Sequence, residues 1–427
     1  MAKIHSVLVG KAVRHVARLR GGSGSALPGL VVEKIDKRFV ENALKKLPRG
    51  VVIISGTNGK TTTTKIVVEL LESQGLKVFT NKTGSNFSRG IAAALLADMN
   101  ARGKLKADIA VLEMDEAHGV RFAEKIRPRY SLLLNVMRDQ LDRFGEIDHT
   151  ARLLQRIAES TTYGVIVNRD DPRLSNEKFL RDIEVDIYSY GVSSELINQF
   201  PSDDDMRTLS MEKREKLFER DDTCLKTISG KTATIAYGGK TEKVSLKLGG
   251  IYNVLNAVGA IALCRQILGK NMDEKKMLKT LSKITPAFGR GEDILVNGKT
   301  CQIILVKNPS GFRLGLKSFK PDGVSTMIAI NDNYADGRDM SWLWDVDFDS
   351  LKAEGVCEIS GSRAYDMALR LQYDEVNFTH VNTNLSRSLK SFLSAEPDKP
   401  KRIYCTYTAM LEVRKQLGKI AEVKELG

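Results

Sequence analysis

The stretch Ser55-Gly56-Thr57-Asn58-Gly59-Lys60-Thr61-Thr62 narrows the possible folds more than any other part of the chain. It follows Val51–Ser55, a short apolar, β-branched run that reads as a buried strand. It leads into Lys60–Ser73, whose pattern suits a helix. Between them, glycines let backbone N–H groups turn toward an anion, and the helix N-terminus adds partial positive charge. Lys60 is placed to bridge phosphate oxygens and the Thr61 hydroxyl to ligate Mg²⁺. The common phosphate loop has glycine where Ile54 stands, so this is a variant of it. A chance Gly-Lys-Thr turn is the alternative, and it leaves the agreement of strand, glycines and helix unexplained.

A chain of 427 residues is long for a single core, and two or three domains are expected. Further strand-like runs at Lys77–Thr80, Asp108–Met114, Tyr130–Asn135 and Val165–Asn168 alternate with helical patterns, which argues for a parallel, doubly wound sheet. A polar segment at about 201–239 reads as an insertion, and an apolar helix is expected near Val254–Leu268. Thr285–Gly291 reads as the approach to a linker. A second α/β series follows, with strands near Gln302–Val306, Thr326–Ile330, Cys357–Ser360, Glu375–Phe378 and Arg402–Cys405. The expected division is 1–46, a basic helix and lead-in; 47–293, the nucleotide-binding domain; and 294–427, a C-terminal α/β domain.

The net charge of +13 is front-loaded, with eleven Lys/Arg against Glu33, Asp36 and Glu41 in the first 50 residues. Residues 5–20 set Leu8, Val9, Ala12, Val13, Val16 and Leu19 at helical spacing among Lys11, Arg14, Arg18 and Arg20. Such a helix either docks on its own protein or lies on an anionic membrane surface. The charge alone would suit a membrane, a phosphate-bearing substrate, nucleic acid or plain solvent. No run of 18 uninterrupted apolar residues occurs, and the N-terminus does not read as a signal peptide. The five cysteines form no Cys-x-x-Cys pair, so neither a zinc site nor a disulfide framework is expected, and a reducing cytoplasm fits.

The loop Gly56–Thr62 resembles the nucleotide loop of Mur ligases and folylpolyglutamate synthases. The resemblance continues at Asn168-Arg169-Asp170-Asp171-Pro172, at Gly249-Gly250-Ile251-Tyr252-Asn253-Val254-Leu255-Asn256-Ala257 and at Gly289-Arg290-Gly291-Glu292. One branch, the MurT subunits of lipid II isoglutaminyl synthases, is similar over nearly the whole chain. Arg20-Gly21-Gly22 to Leu27-Pro28-Gly29, Arg138 to Arg143, Asp332 to Asp345 and Thr406-Tyr407-Thr408-Ala409-Met410 carry that likeness. The branch often has a four-cysteine zinc ribbon in its middle domain; here only Cys224 lies in that region.

The resemblance implies a Mur-ligase-like central P-loop domain with a parallel sheet, plus a Rossmann-like C-terminal α/β domain. It implies ATP and Mg²⁺ as cofactors, with Gly56, Thr57, Asn58, Gly59, Lys60, Thr61 and Thr62 around the phosphates and Glu113 on the metal. Asn253, Asn256 and Arg290 fall where the family contacts nucleotide, and Lys307 where a cross-domain phosphate contact forms. Gln140 stands where many Mur ligases have a histidine on a second metal, and Thr83-Gly84-Ser85-Asn86 resembles a substrate-side loop. The implied reaction amidates the α-carboxyl of D-glutamate in the lipid II stem peptide, in the cytoplasm or at the inner face of the membrane. Ammonia would come from a GatD-type glutaminase, whose catalytic triad one aspartate of the Asp332–Asp345 loop completes; Asp339 is the choice. No nucleic-acid partner is implied.

Read from the residues alone, Glu113, Asp115, Glu116 and His118 follow a strand end, where functional groups collect, although each could be an ordinary surface group. Two rival functions stay open: a ligase that adds an amino acid, and a nucleotide-binding module without chemistry.

Overall fold

The computed structural model describes residues 4–19, 27–81, 88–138, 147–200, 223–285 and 290–423. Strand β1 (Val51–Ser55) is buried along its whole length. Its side chains alternate between two cores: Val52 and Ile54 point to one, Val51 and Ile53 to the other. That is why the run is continuously apolar, as parallel strands covered on both faces are. β1 lies between β3 (Ile109–Glu113) and β4 (Tyr130–Leu133), parallel to both.

Among the described residues the sheet has nine strands, in the order β2-β3-β1-β4-β5-β6-β7-β8-β9. Here β2 is Val78–Thr80, β5 Gly164–Asn168, β6 Asp186–Val192, β7 Thr223–Ser229, β8 Thr232–Tyr237 and β9 Lys240–Ser245. All neighbours from β2 to β7 are parallel, whereas β7, β8 and β9 form an antiparallel edge. The polar segment expected at 201–239 is therefore not peripheral throughout. From Thr223 onward it is sheet, because Ala233, Ile235 and Tyr237 alternate with less buried neighbours and join Leu225 in one core. Residues 201–222 lie outside the described set.

One face of the sheet carries helices Lys60–Ser73 and Ile251–Leu268, which pack on each other. The second is apolar all round because it is enclosed, with thirteen of its residues buried. It is long and apolar enough to cross a membrane, but 72% of its apolar window is buried inside the protein. Truncating a side chain there, such as Ile261→Ala, should cost about 2–5 kcal/mol. The other face carries helices Phe39–Leu44, Ser88–Asp98, Glu116–Ile126 and Ile147–Glu159.

The N-terminal helix Ile4–Leu19 docks on helices Leu27–Ile35 and Ser88–Asp98. Part of the apolar stripe stays outside that contact. Ser6, Val7 and Gly10 face inward, while Leu8, Val9 and Val16 are 49%, 42% and 49% exposed. Gly10 lets the helices approach closely: a Cβ there would stand 2.4 Å from Val32 and 2.7 Å from Leu96.

A second, six-stranded sheet has the order β10-β11-β15-β12-β13-β14. Its strands are β10 (Arg290–Val296), β11 (Lys299–Leu305), β12 (Ser325–Ala329), β13 (Val356–Ser360), β14 (Phe378–Asn382) and β15 (Lys401–Cys405). All pairs are parallel except the β10–β11 hairpin, which turns at Asn297-Gly298 with both residues left-handed, as a two-residue hairpin requires. β14 begins later than the expected Glu375–Phe378, because helix Ala364–Tyr373 ends in a turn that holds Glu375 left-handed.

Candidate active site

The phosphate loop sits at the carboxyl end of β1, and it is held from behind. Gly56 and Glu113, at the ends of adjacent strands, bracket it. Gly56 is left-handed at φ 135°, and a Cβ there would stand 2.9 Å from the Asn135 amide, so only glycine fits. The Thr57 amide donates to the Asn135 carbonyl at 3.0 Å and the Asn58 amide to the Asn135 side-chain oxygen at 2.9 Å. The Asn135 side-chain NH₂ returns a bond to the Asn58 carbonyl at 3.0 Å. The Met137 amide donates to the Thr57 hydroxyl at 3.0 Å. These bonds brace the loop from within the chain.

Lys60 is buried. Its ammonium donates to the carbonyls of Gly56 and Thr57 and pairs with Glu116 at 3.0 Å. The Thr61 hydroxyl donates to the Glu113 carboxylate at 2.9 Å. Asn81 clamps the Glu113 backbone on both sides, accepting from its amide at 3.0 Å and donating to its carbonyl at 2.8 Å. Asp115, by contrast, caps the helix Glu116–Ile126 by accepting from the amides of Ala117 and His118, so its role is structural.

The sequence Asn168–Pro172 works as a brace. Asp171 accepts from the amides of Val136, Arg173 and Leu174, and burial pushes its carboxyl up to about 6. Asp170 accepts from the Val192 amide at 2.6 Å. Together they tie β5 and β6 to the segment behind the phosphate loop.

A cleft opens between the two sheets, lined by Asn58, Gly59, Asn253, Asn256, Lys307 and Phe319 among others. Asn256 reaches Gly59 so closely that a Cβ on Gly59 would lie 2.5 Å from its side-chain oxygen. Asn253 donates to the Gly249 carbonyl at 2.6 Å. Gly249, Gly250 and Gly291 are small where Ser318 and Phe319 press against them; a Cβ on Gly291 would stand 2.9 Å from the Phe319 ring. Three polar contacts close the cleft's rim. The Asn308 side chain donates to that of Asn58 at 3.3 Å, Ser310 donates to the Arg138 carbonyl at 3.1 Å, and Arg138 pairs with Asp345 at 3.0 Å.

These features match a known family. A model of the Mur ligase middle domain matches residues 54–264, and one of the MurT ligase C-terminal domain matches residues 305–410. A MurT subunit of the glutamine-hydrolysing lipid II isoglutaminyl synthase from Streptococcus pneumoniae is 32% identical, over 95% of this chain and 94% of that protein. Its namesake from Staphylococcus aureus is 27% identical over 98% of each. The chain belongs to the MurT branch of the Mur ligase family. Among solved structures, a MurF ligase from Thermotoga maritima in complex with ADP shares the fold, with a TM-score of 0.67 and 16% identity over 90% of this chain and 84% of that one. This Mur ligase is accordingly an ATP-dependent enzyme with an α/β fold.

Of the residues singled out from sequence, Gly56, Thr57, Asn58, Gly59, Lys60, Thr61, Glu113, Asn253, Asn256 and Lys307 gather at the loop and cleft. Thr62 is buried in the first turn of the helix. Arg290 lies in β10, its side chain outside the described residues. Gln140 and Thr83–Asn86 also lie outside them. Asp339 sits apart, in the loop after β12, where its carboxylate accepts from the Ser341 amide at 2.9 Å. Sequence reasoning missed Glu116 as the partner of Lys60, Asn135 as the loop's brace, and Phe319 as a wall of the cleft. Glu116 had one available signal, its position in the first turn of a helix that starts at a strand end.

Proposed function

We propose that this chain uses ATP to convert a carboxylate into an acyl phosphate and that ammonia then displaces the phosphate to leave an amide. The observation that carries this is the pairing of Lys60 with Glu116 beside a preformed loop of amides. A buried ammonium held by one carboxylate and two carbonyls is a site at which phosphate oxygens can exchange for protein ones. Thr61 and Glu113 offer two hard oxygen donors 2.9 Å apart at the same mouth, which fits magnesium. That ion would supply charge neutralisation of the phosphates. Asn256 and Asn253 suit the nucleotide's base and ribose, with Phe319 as an apolar wall, and Lys307 reaches the phosphates from the second sheet. Arg290 joins the nucleotide contacts in this reading, and the units 1–46, 47–293 and 294–427 act as lead-in, nucleotide-binding domain and closing domain.

The acceptor is the D-glutamate α-carboxyl of a lipid II stem peptide, as the relatives' name suggests. The nitrogen comes from a GatD-type glutaminase. Cys264, Cys301, Cys357 and Cys405 all have thiols pushed up by burial, which disfavours the thiolate that glutamine hydrolysis needs. Asp339 is the aspartate offered to the partner's triad. Of the four acidic residues in its loop, Asp332 pairs with Arg363, Asp336 accepts from Thr408 and Asp345 pairs with Arg138. The outward stripe of Leu8, Val9 and Val16 supports contact with the inner membrane surface, where such a substrate resides.

The test is an assay of the purified chain with ATP, Mg²⁺ and lipid II, comparing ammonium chloride, glutamine and free amino acids. Ammonium alone should give amide, ADP and phosphate. Addition of an amino acid instead would replace this reading with that of a stem-extending ligase.

A further inference from the structure

The opposite end of the central sheet holds a second, unassigned concentration of charge. β1 and β4 begin there, at Val51 and Tyr130, roughly 15 Å from the phosphate loop at about 3.3 Å per residue. An open cavity of about 330 Å³ is walled by Lys45, Arg127, Arg129, Gly50, Thr162 and Tyr163, among others. It has room for a phosphate or pyrophosphate group as well as solvent. Among the described residues, Lys45, Arg127 and Arg129 form no ion pair with a carboxylate. All three are exposed residues of one sign, and an anion between them is attracted by each.

Two of the three are held in position. The Arg129 guanidinium stacks 4.9 Å over the Tyr163 ring, which in turn meets Tyr130 edge-on. The Arg129 stem runs across Gly50, where an added Cβ would stand 3.1 Å away. Arg127 caps the helix Glu116–Ile126 in a left-handed conformation at φ 50°, a position glycine occupies at less cost. Its cationic side chain also suits the helix C-terminus, but any basic residue a turn earlier would serve that end without the strain.

We propose that Lys45, Arg127 and Arg129 form a binding site for a phosphate group, separate from the nucleotide site. Two guanidinium forks and an ammonium match the several oxygens of a phosphate or pyrophosphate better than the two of a carboxylate. The phosphate belongs either to a lipid headgroup or to a soluble anion.

The experiment uses the full chain carrying Lys60→Ala, so that the nucleotide loop does not supply the signal. Sodium pyrophosphate is titrated into it calorimetrically, with and without Arg127→Gly and Arg129→Gln. Glycine suits the left-handed position and glutamine keeps much of the stem, so the melting temperature should hold; Arg127→Gly alone serves if the double change unfolds. Saturable binding that weakens at least tenfold on substitution is expected. Sedimentation with phosphatidylglycerol vesicles, against phosphatidylcholine ones, then assigns the source. A parallel loss of vesicle binding identifies a headgroup, and unchanged vesicle binding identifies a soluble phosphate. Pyrophosphate affinity that is absent, or equal with and without the substitutions, overturns the site.

Discussion

Two loops in this molecule obey the same rule and reach opposite outcomes. Each follows a buried parallel strand, β1 in one sheet and β12 in the other, and so emerges at a carboxyl end where functional groups collect. The loop after β1 turns inward. Its amides are set by Asn135, its lysine is matched by Glu116 and its threonine by Glu113, all from this chain. The loop after β12 uses its acidic groups differently. Asp336 is buried and accepts from the Thr408 amide and hydroxyl, Asp332 pairs with Arg363, and Asp345 reaches Arg138 next to the first loop. Asp339 alone of the four has only a neighbouring amide as its contact among the described residues. The first loop draws its partners from several segments of this chain; the second leaves Asp339, half-exposed, with a single amide contact among the described residues.

That contrast is broken most directly at the inward loop. Lys60→Ala should lower ATP-dependent amidation by about a hundredfold or more, the size of one lost charge contact in the transition state, roughly 3–4 kcal/mol, and should also lower the melting temperature, because it leaves the buried Glu116 without its ammonium. Steady-state rates with ammonium chloride measure it. Turnover within a few-fold of the parent would remove Lys60 from the chemistry.

At the outward loop the expected effect is smaller and selective. Asp339→Asn should depress turnover with glutamine plus the partner glutaminase by on the order of tenfold or more, and leave turnover with ammonium unchanged. Equal losses with both nitrogen sources would make Asp339 a structural residue of its own loop.

How much of this contrast could be read from the sequence depends on range. Strand β1, its glycine turn and the helix after it are local signals, each set by neighbours in the chain. The Glu113 position follows from strand ends in the same way. The Lys60–Glu116 pair spans 56 residues and depends on β1 lying beside β3, which no local pattern encodes. The insertion of β15 between β11 and β12 is likewise a tertiary fact. Other features were present but easy to pass over. Asn297-Gly298 and Gly238-Gly239 are two-residue hairpin turns written plainly in the chain, and they mark β10–β11 and β8–β9. In the N-terminal helix, Leu8, Val9 and Val16 of the apolar stripe are left exposed while Val7 and Gly10 make the contact, a choice between faces that the local pattern leaves open.

The ion pair inside the first loop offers a sharper test of how that loop is poised. Glu116→Gln removes the carboxylate that pairs with the Lys60 ammonium, at a cost of roughly 3–5 kcal/mol when a buried pair is broken. The variant should melt below the parent without nucleotide. Because phosphate oxygens would then supply the missing charge, ATP should raise its melting temperature more than it raises the parent's. Thermal shifts of both proteins with and without ATP decide it; equal ATP shifts would mean that Glu116 and the nucleotide do not compete for Lys60.

The smallest effect belongs to the brace behind the loop. Asp171 is buried, and its carboxyl is raised from 3.8 to about 6 by desolvation, which outweighs the three amides that donate to it. A raised carboxyl binds its proton more tightly in the folded state than in the unfolded one. Its contribution is therefore fully present below about pH 4 and is lost as pH rises through about 6. At 1.36 kcal/mol per unit the loss is at most about 3 kcal/mol, a shift of a few degrees. Asp171→Asn cannot ionise, so its own penalty, from one amide left facing an NH₂ group, is the same at every pH. The melting temperature of the parent, measured relative to that variant, should fall between pH 4 and 7 and level off above. A difference that stays flat across that range would mean that the three amides keep Asp171 ionised, and that the brace behind the phosphate loop is a charged one, as the Lys60–Glu116 pair in front of it is.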